Sequence, residues 1–220
     1  AYKPKTFGVK LKKGAIELPQ SLNIPVALDY NDQAFTPDAF RNTGRFDKEG
    51  NSYSADLIGK SVVSDGITFN IAAVDVNNVV KCKKNIVRLP ENNQCTKLYI
   101  LASSVDKDRK ATFKIDGKQY TFQVPYYSGF FGQWGQTDFS EGYVKDATLA
   151  YVGSHRHTRK GNEAYTFTYM FKFCISLPQG AKELELPDDE NIAVFAATLS
   201  NNSNDDVKPA CEMRALPLQK

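Results

Sequence analysis

The sequence contains few residues of the kinds that enzymes and metalloproteins place in short motifs. It has two histidines, one tryptophan and four cysteines among 220 residues, and no two cysteines have CxxC spacing. A zinc ribbon or a thiol redox motif is therefore not expected, whereas zero, one or two disulfides remain open. GxSxG, HExxH, Walker A and dinucleotide-binding fingerprints are also missing. We therefore predict no catalytic residues in this chain.

Long apolar runs and strong charge are missing as well. No run approaches the roughly 20 apolar residues that cross a bilayer, so no membrane span is predicted. The net charge is +3, and the basic residues are spread along the chain, which argues against a nucleic-acid partner. The first residue is Ala1 rather than Met, so we expect a processed or excised fragment. A signal peptide that has been removed would leave the same sequence, so export stays open.

The chain does contain alternating apolar and polar residues typical of β-strands, and the clearest example lies between Gly153 and Leu177. Apolar side chains there alternate with mostly polar ones over more than ten residues, which is the period of a β-strand. The alternating apolar positions are Tyr165, Phe167, Tyr169, Phe171, Phe173 and Ile175. We predict a central strand that buries this aromatic face and turns the face of Thr168 towards solvent.

The rest of the chain supplies shorter strands and no segment with helical periodicity. KLYILASS (97–104) predicts a strand buried on both faces, and ATFKIDGKQYTFQV (111–124) predicts a hairpin that turns at Asp116-Gly117. Many short strands separated by turn signals predict an all-β fold, an antiparallel β-sandwich or jelly roll. We predict one domain over 1–220, with a strand or linker of a preceding domain at 1–14 and a C-terminal tail at 201–220.

Several segments, in their order and spacing, resemble a known family. The segments are PKTFGVKL, VALDYND, RFDKEGNSYSADL, GITFNI, KLYILASS, YYSGFFGQW, AYVGSHRHTRKGNEAYTFTYMFKF and LPQGAKELELPDDENIAVFAAT. Together they resemble the C-terminal β-sandwich region of bacterial family-38 glycoside hydrolases, the α-mannosidases, from about Phe7 to Thr198. The chain departs from that pattern at Lys48, at Ser54–Asp56 and at Gly135.

This resemblance implies a galactose-binding-like sandwich that acts as a non-catalytic accessory domain of an exported bacterial enzyme. The nucleophile and the catalytic zinc of such enzymes belong to an N-terminal domain that nothing in this chain matches. The domain would then pack on that catalytic domain or help it to bind mannose-containing glycans, in the periplasm or outside the cell. An autonomous carbohydrate-binding module is the first alternative. A free-standing hydrolase using His155, His157 and Glu163 is the second.

Two segments offer side chains that suit a sugar: the Gly-rich aromatic loop and the histidine segment. Sugar rings stack on aromatic faces, and sugar hydroxyls need polar partners. The candidate carbohydrate-binding residues are Tyr127, Gln133, Trp134, Asp138, His155, Arg156, His157 and Glu163. Alternatively, Trp134 folds inward and seals one end of the sandwich.

Metal binding has two candidates in the sequence. His155 and His157 lie on one face of an extended segment, but the sequence shows no third or fourth ligand for zinc, and a structural role in which Arg156 pairs with Glu163 is the alternative. An oxygen-rich loop contains Asp29, Asp32, Asp38, Asp47, Glu49 and Asn51. Of these, Asp29, Asp32 and Asp47 are the candidate ligands of a structural calcium ion, although the spacing matches no EF-hand. No other cofactor is predicted.

Overall fold

The structure, a computed structural model, describes residues 22–91, 94–129 and 147–201. The segment predicted as a strand or linker at 1–14, and all but the first residue of the predicted tail, lie outside these residues. Two short helical segments are present, a 3₁₀-helix at Asp38–Thr43 and the α-helix α1 at Ala55–Ile58. No helix in the described ranges is long and apolar enough to cross a membrane.

Most of the described chain forms strands, and they confirm the predicted all-β fold class. In chain order they are β1 (Asn23–Val26), β2 (Phe35–Thr36), β3 (Ser52–Ser54), β4 (Ser61–Ser64), β5 (Ile67–Asn70), β6 (Val80–Lys81), β7 (Ile86–Arg88), β8 (Lys97–Ser104), β9 (Arg109–Ile115), β10 (Lys118–Val124), β11 (Ser128–Gly129), β12 (Thr148–Thr158), β13 (Gly161–Ser176), β14 (Glu183–Glu185) and β15 (Ile192–Ser200).

These strands form one large sheet covered on both faces. The large sheet has the order β1-β15-β8-β13-β12-β3-β2, with β6 added to β15 and β11 added to β13. A four-stranded sheet, β10-β9-β14-β7, packs on one face, and the β4–β5 hairpin lies on the other. Every strand pair in these sheets is antiparallel except β2–β3. Each face of the large sheet therefore has its own apolar core, as a layered β-sandwich requires.

The strand β13 is the centre of the large sheet, as the aromatic alternation predicts. It pairs with β8 on one side and with β12 on the other. Tyr169, Phe171 and Phe173 are buried against the four-stranded sheet, and Phe122 of β10 contacts Phe173 with ring centroids 5.3 Å apart. Tyr165 departs from the prediction, because its side chain is 76% exposed.

The opposite face of β13 is buried too, so the expectation that Thr168 faces solvent was wrong. Thr168 and Met170 are completely buried, and Lys172 nearly so. The β4–β5 hairpin covers this face and contributes Ile67 to the second core. Lys172 reaches that hairpin and donates through Nζ to Asp65 Oδ2 over 2.5 Å. A period-two pattern shows which residues share a face, but it does not show what packs on that face.

The predicted hairpin at Asp116-Gly117 is confirmed. Ile115 of β9 pairs with Lys118 of β10, which leaves a two-residue loop. Both loop residues have positive φ, 46° for Asp116 and 83° for Gly117, as a type I′ turn requires. The predicted double burial of β8 is also confirmed. Cys82 is a free buried thiol, so the four cysteines of the sequence can form one disulfide at most.

The end of the β12–β13 hairpin projects beyond the core and carries the polar side chains of interest. Residues Gly161–Tyr165 of β13 are exposed or half-buried, whereas those from Thr168 to Phe173 are buried. A register shift separates the two parts, because Gly153 pairs with Thr168 while His155 pairs with Ala164. Such a bulge bends the strands and re-aims side chains at a sheet edge.

We expect Phe171→Ala to lower the free energy of unfolding by about 3–5 kcal/mol, since it empties a fully packed site. Thr168→Val should leave stability unchanged or raise it by up to about 1 kcal/mol, because the buried Thr168 hydroxyl has no hydrogen-bond partner in the described residues. Urea unfolding followed by circular dichroism measures both. If Thr168→Val lowers the free energy of unfolding by more than about 1 kcal/mol, the Thr168 hydroxyl must make a hydrogen bond, contrary to the structure.

The Lys172–Asp65 ion pair makes a second prediction. Asp65→Asn should destabilise the protein by about 3–5 kcal/mol, because it leaves the buried Lys172 ammonium without its carboxylate. Asn tolerates the positive φ of Asp65, so the turn itself should survive. Lys172→Met should restore most of the stability in an Asp65→Asn background. If the double variant is as unstable as Asp65→Asn alone, the turn rather than the charge is responsible.

Candidate functional site

Backbone pairing at the β12–β13 end places chemically useful side chains on both faces of β12. Arg156 pairs with Glu163 on β13 and with Tyr53 on β3. His155 and His157 flank Arg156, and since side chains alternate along a strand, both imidazoles lie on the face opposite Arg156. We call these the histidine face and the arginine face.

On the histidine face, His157 is held from both ring nitrogens. Its Nδ1 lies 2.8 Å from Thr36 Oγ1, and its Nε2 lies 2.9 Å from Asp38 Oδ1. Thr36 Oγ1 is in turn 2.5 Å from Ser52 Oγ, and Ser54 Oγ donates to Asp38 Oδ1 over 3.1 Å. The imidazole is completely buried, yet Asp38 keeps a side chain that is 46% exposed. This chain of contacts fixes the ring orientation and leaves one carboxylate open to solvent.

The pKa shifts at this pair favour a neutral imidazole beside a carboxylate. Burial lowers the pKa of His157 below its usual value, although the hydrogen bond and charge of Asp38 oppose this. For Asp38, burial raises the pKa, but the hydrogen bonds from Ser54 and His157 outweigh it and the pKa is lowered overall. At neutral pH the imidazole is therefore uncharged, and its Nε2–H donates to the Asp38 carboxylate.

His155 differs from His157 because one of its nitrogens has no partner. Nδ1 lies 3.2 Å from Ser154 Oγ, but Nε2 is buried and makes no hydrogen bond within the described part of the chain. The two imidazole centroids are 5.3 Å apart. Donor atoms of Asp38, His155 and His157 all lie within 4.8 Å of one another, and no other described group of three metal-ligating side chains does so.

The arginine face carries an ion pair at the rim of a groove. Arg156 donates to Glu163 Oε2 from Nε over 2.9 Å and from Nη2 over 2.6 Å, and its Nη1 lies 3.3 Å from the Tyr126 hydroxyl. The groove has a volume of about 440 Å³ and is lined by Glu49, Asn51, Arg156, Thr158, Arg159, Lys160, Asn162 and Glu163. Gly50 lies between the lining residues Glu49 and Asn51. Its φ of +83° favours glycine, and a Cβ there would lie 2.5 Å from Arg159 Nε. The structure thus contains the Arg156–Glu163 pair that the sequence offered as a structural alternative.

Two of the predicted sugar-contacting residues must be corrected because their side chains are completely buried. The Tyr127 ring packs edge-on against Phe46 at 5.0 Å, and its hydroxyl donates to Asp47 over 2.7 Å. His157 is also fully buried, with both nitrogens already in contact with protein groups. Neither side chain can contact a sugar ring that binds at the surface. Gln133, Trp134 and Asp138 lie outside the described residues, so their predicted roles stay predictions.

The structure does not bring the hydrolase constellation together. Glu163 belongs to the arginine face, where Arg156 holds its carboxylate, while His155 and His157 point to the opposite face. The predicted calcium ligands also make separate contacts. Asp47 accepts from Asn51 Nδ2 over 2.9 Å, and Asp32 accepts from the Gln33 amide over 2.8 Å. Calcium binding by Asp29, Asp32 and Asp47 stays a prediction.

Lys81 places a positive charge in the same region as that acidic loop. Its Nζ donates to the Phe46 carbonyl over 2.6 Å and lies 4.3 Å from the centroid of the Phe46 ring. Burial lowers the pKa of Lys81 to about 8, although the carboxylates of Asp32 and Asp47 oppose the shift. The Lys81 ammonium therefore interacts electrostatically with the carboxylates of Asp32 and Asp47.

Sequence reasoning did not assign two residues to this hairpin end: Asp38, which it named in the oxygen-rich loop, and Tyr165, which it placed in the core. Asp38 lies 119 positions before His157 and reaches it only because the 3₁₀-helix packs beside β12. Tyr165 was assigned to the buried aromatic face, but its backbone has φ of 64° within the bulge and its ring is 76% exposed. No sequence signal marks the bulge. The sequence shows Asp38 in a polar loop, but it does not show that this residue lies beside His157.

Comparison with known proteins places the fold. The family model of the AziU2-like beta-sandwich domain matches residues 20–203. No curated protein matches the sequence. Among solved structures, the chain is similar to the catalytic domain of a GH87 alpha-1,3-glucanase in complex with tetrasaccharides, with 12% identity and a TM-score of 0.37. That similarity covers 83% of this chain and 28% of the glucanase chain. The family match supports the predicted β-sandwich, while the relation to family-38 mannosidases stays a prediction.

The hydrogen bond between Thr36 and His157 leads to a prediction about the stability of a Thr36 variant. Thr36→Val should lower the free energy of unfolding by about 1–3 kcal/mol, because it leaves His157 Nδ1 buried without its hydroxyl partner. Thr112→Val is the matched control, since it removes an exposed hydroxyl pair with Thr121 and should cost under about 0.5 kcal/mol. Equal costs for the two variants in urea unfolding would argue against the buried chain of contacts.

Proposed function

The chain belongs to the family of AziU2-like β-sandwich domains, and we propose that it is a non-catalytic carbohydrate-binding domain. The proposed binding site is the groove on the arginine face, at the end of the β12–β13 hairpin. The observation that carries the proposal is Tyr165, which lies outside the groove lining, two residues after Glu163 on β13, and exposes 76% of its surface.

Tyr165 combines two features that cost free energy in the absence of a ligand. A bulky residue at φ of 64° is a backbone outlier, and such strain costs about 1–3 kcal/mol. The ring is also the most exposed of the large apolar side chains in the described residues. Strained and exposed groups concentrate at ligand-binding sites, and an open tyrosine face suits the apolar C–H face of a pyranose ring.

The groove supplies the polar groups that sugar hydroxyls need. Arg156, Arg159 and Lys160 offer donors, Glu49 and Glu163 offer acceptors, and Asn162 offers both. Its volume of about 440 Å³ falls within the range of small-ligand sites. Arg156 is fixed by its two contacts to the Glu163 carboxylate, so its remaining donors are already oriented. A pre-oriented donor loses less side-chain entropy when a ligand binds.

The resemblance to α-mannosidases gives this proposal its finer form. The domain would be an accessory part of an exported α-mannosidase-like hydrolase in the periplasm or outside the cell. Its partners would be the catalytic domain of the same polypeptide and mannose-containing glycans. Autonomous binding, without a catalytic domain, is the alternative within the same class.

A packing role is the second candidate function, and one feature of β12 favours it. Leu149 and Val152 expose 41% and 42% of their surfaces on this strand. Neighbouring exposed apolar side chains of this kind often mark a contact with another domain. A domain that only packs on its neighbour would bind no glycan when isolated.

We expect the isolated protein to bind mannan or mannose oligosaccharides, and Tyr165→Gly to weaken that binding at least tenfold. Glycine removes the ring and also suits the positive φ, so stability should be unchanged or up to about 1–2 kcal/mol higher. Glu163→Gln should weaken binding as well, because it removes an acceptor and frees Arg156. Isothermal titration calorimetry measures affinity, and urea unfolding measures stability.

Val63→Ala is the control, since Val63 is 63% exposed on β4, away from the groove. It should change neither affinity nor stability beyond about 0.5 kcal/mol. Glycan binding that persists unchanged in Tyr165→Gly would show that the sugar binds elsewhere on the protein. A glycan array on which the wild-type protein is silent would favour the packing role.

A further inference from the structure

We propose that Asp38, His155 and His157 form a binding site for a divalent transition-metal ion such as Zn²⁺. The site lies on the histidine face and does not depend on the carbohydrate groove. Two imidazole nitrogens and one carboxylate are a ligand set that zinc and its neighbours in the first transition row prefer, while calcium and magnesium prefer oxygen alone. Three protein ligands leave a fourth position for water or another ligand.

The distances between donor atoms fit such an ion. Tetrahedral zinc with bonds of about 2.0–2.1 Å holds its ligands roughly 3.3 Å apart. His157 Nε2 and Asp38 Oδ1 are 2.9 Å apart, and all three donors lie within 4.8 Å of one another. Donor atoms at the upper limit of that range would have to move closer by about 1.5 Å when the ion binds. Asp38 has room for this movement, because its side chain is 46% exposed, and the same opening gives an ion access from solvent.

The unpartnered nitrogen of His155 is the independent observation that points to a ligand. His155 Nε2 is buried and makes no hydrogen bond to any described residue, although its Nδ1 lies 3.2 Å from Ser154 Oγ. Leaving a buried polar atom unsatisfied is costly, so native structures rarely do so without a reason. If Nδ1 carries the proton and donates to Ser154, Nε2 keeps an unpaired lone pair, and His155 belongs to the group whose donor atoms lie within 4.8 Å of one another. A metal ion at this point would satisfy it.

The surrounding groups already have the arrangement that orients metal ligands. Ligating histidines usually donate their second nitrogen to an oxygen, which fixes the tautomer. Here His157 Nδ1 faces Thr36 Oγ1, and Thr36 is held by Ser52. Ser54 contacts Asp38 Oδ1, and the Asp38 amide donates to Asp56 Oδ2 over 2.6 Å. The hydrogen bond between His157 and Asp38 holds these two side chains together, and a metal ion would replace its proton.

The test is the effect of Zn²⁺ on thermal unfolding of protein that carries no histidine tag and has been dialysed against a chelator. At about 100-fold excess over its dissociation constant, Zn²⁺ should raise Tm by roughly 5 °C, because it binds the folded state selectively. Ca²⁺ and Mg²⁺ should not. Co²⁺ should develop the visible absorption of a tetrahedral site with nitrogen and oxygen ligands. The chain has two histidines in all, so both signals report on this cluster.

His155→Ala is the decisive variant, because it removes a ligand without removing a hydrogen bond from Nε2. Without metal it should be as stable as the wild type, and it should lose the Zn²⁺ shift and the Co²⁺ spectrum. It keeps every cysteine, so it separates this site from thiol binding. Glu163→Gln is the matched control on the opposite face and should keep both signals. An equal Zn²⁺ shift in His155→Ala, or no shift in the wild type, would overturn the proposal and leave a structural His157–Asp38 hydrogen bond.

Discussion

The burial of β13 on both of its faces is the constraint on which the rest of the structure depends. One face presents aromatic rings to the four-stranded sheet, and the other presents Met170 and Lys172 to the β4–β5 hairpin. The two cores meet at this strand as they do at β8 and β15, so a change there disturbs both layers. Lys172 can occupy such a position only because Asp65 neutralises its charge at the hairpin turn.

That central strand is longer than the core it fills, and its overhang creates the candidate site. β13 spans 16 residues, and only its later part is covered by both layers. The bulge at Tyr165 separates the buried part from the free end and turns the tyrosine outwards. Alternation along β12 then divides the polar side chains, with Arg156 on one face and the histidines on the other. The sheet thus presents two chemically different surfaces on its opposite faces.

Local pattern predicted much of this fold, and distant contacts explain what it missed. The Asp116-Gly117 hairpin and the double burial of β8 depend on neighbouring residues, so the sequence shows them. The burial of Lys172 depends on a hairpin about a hundred residues earlier, which no periodicity can reveal. Tyr127 looked available for a ligand because the packing of Phe46 on its ring is equally invisible in sequence. The contact between Asp38 and His157 could not be predicted either, because 119 positions separate the two residues in the sequence.

The claim that the two faces of this hairpin end are separate sites can be tested in one NMR experiment. The chain has two histidines, so a side-chain nitrogen spectrum contains two imidazoles. Titration with Zn²⁺ should shift the Nε2 signals of both rings and leave the backbone amide of Tyr165 nearly unchanged. Titration with a mannose oligosaccharide should shift the Tyr165 amide and leave both rings in place. Zn²⁺ that moves neither ring, or sugar that moves both rings and spares Tyr165, would contradict this account.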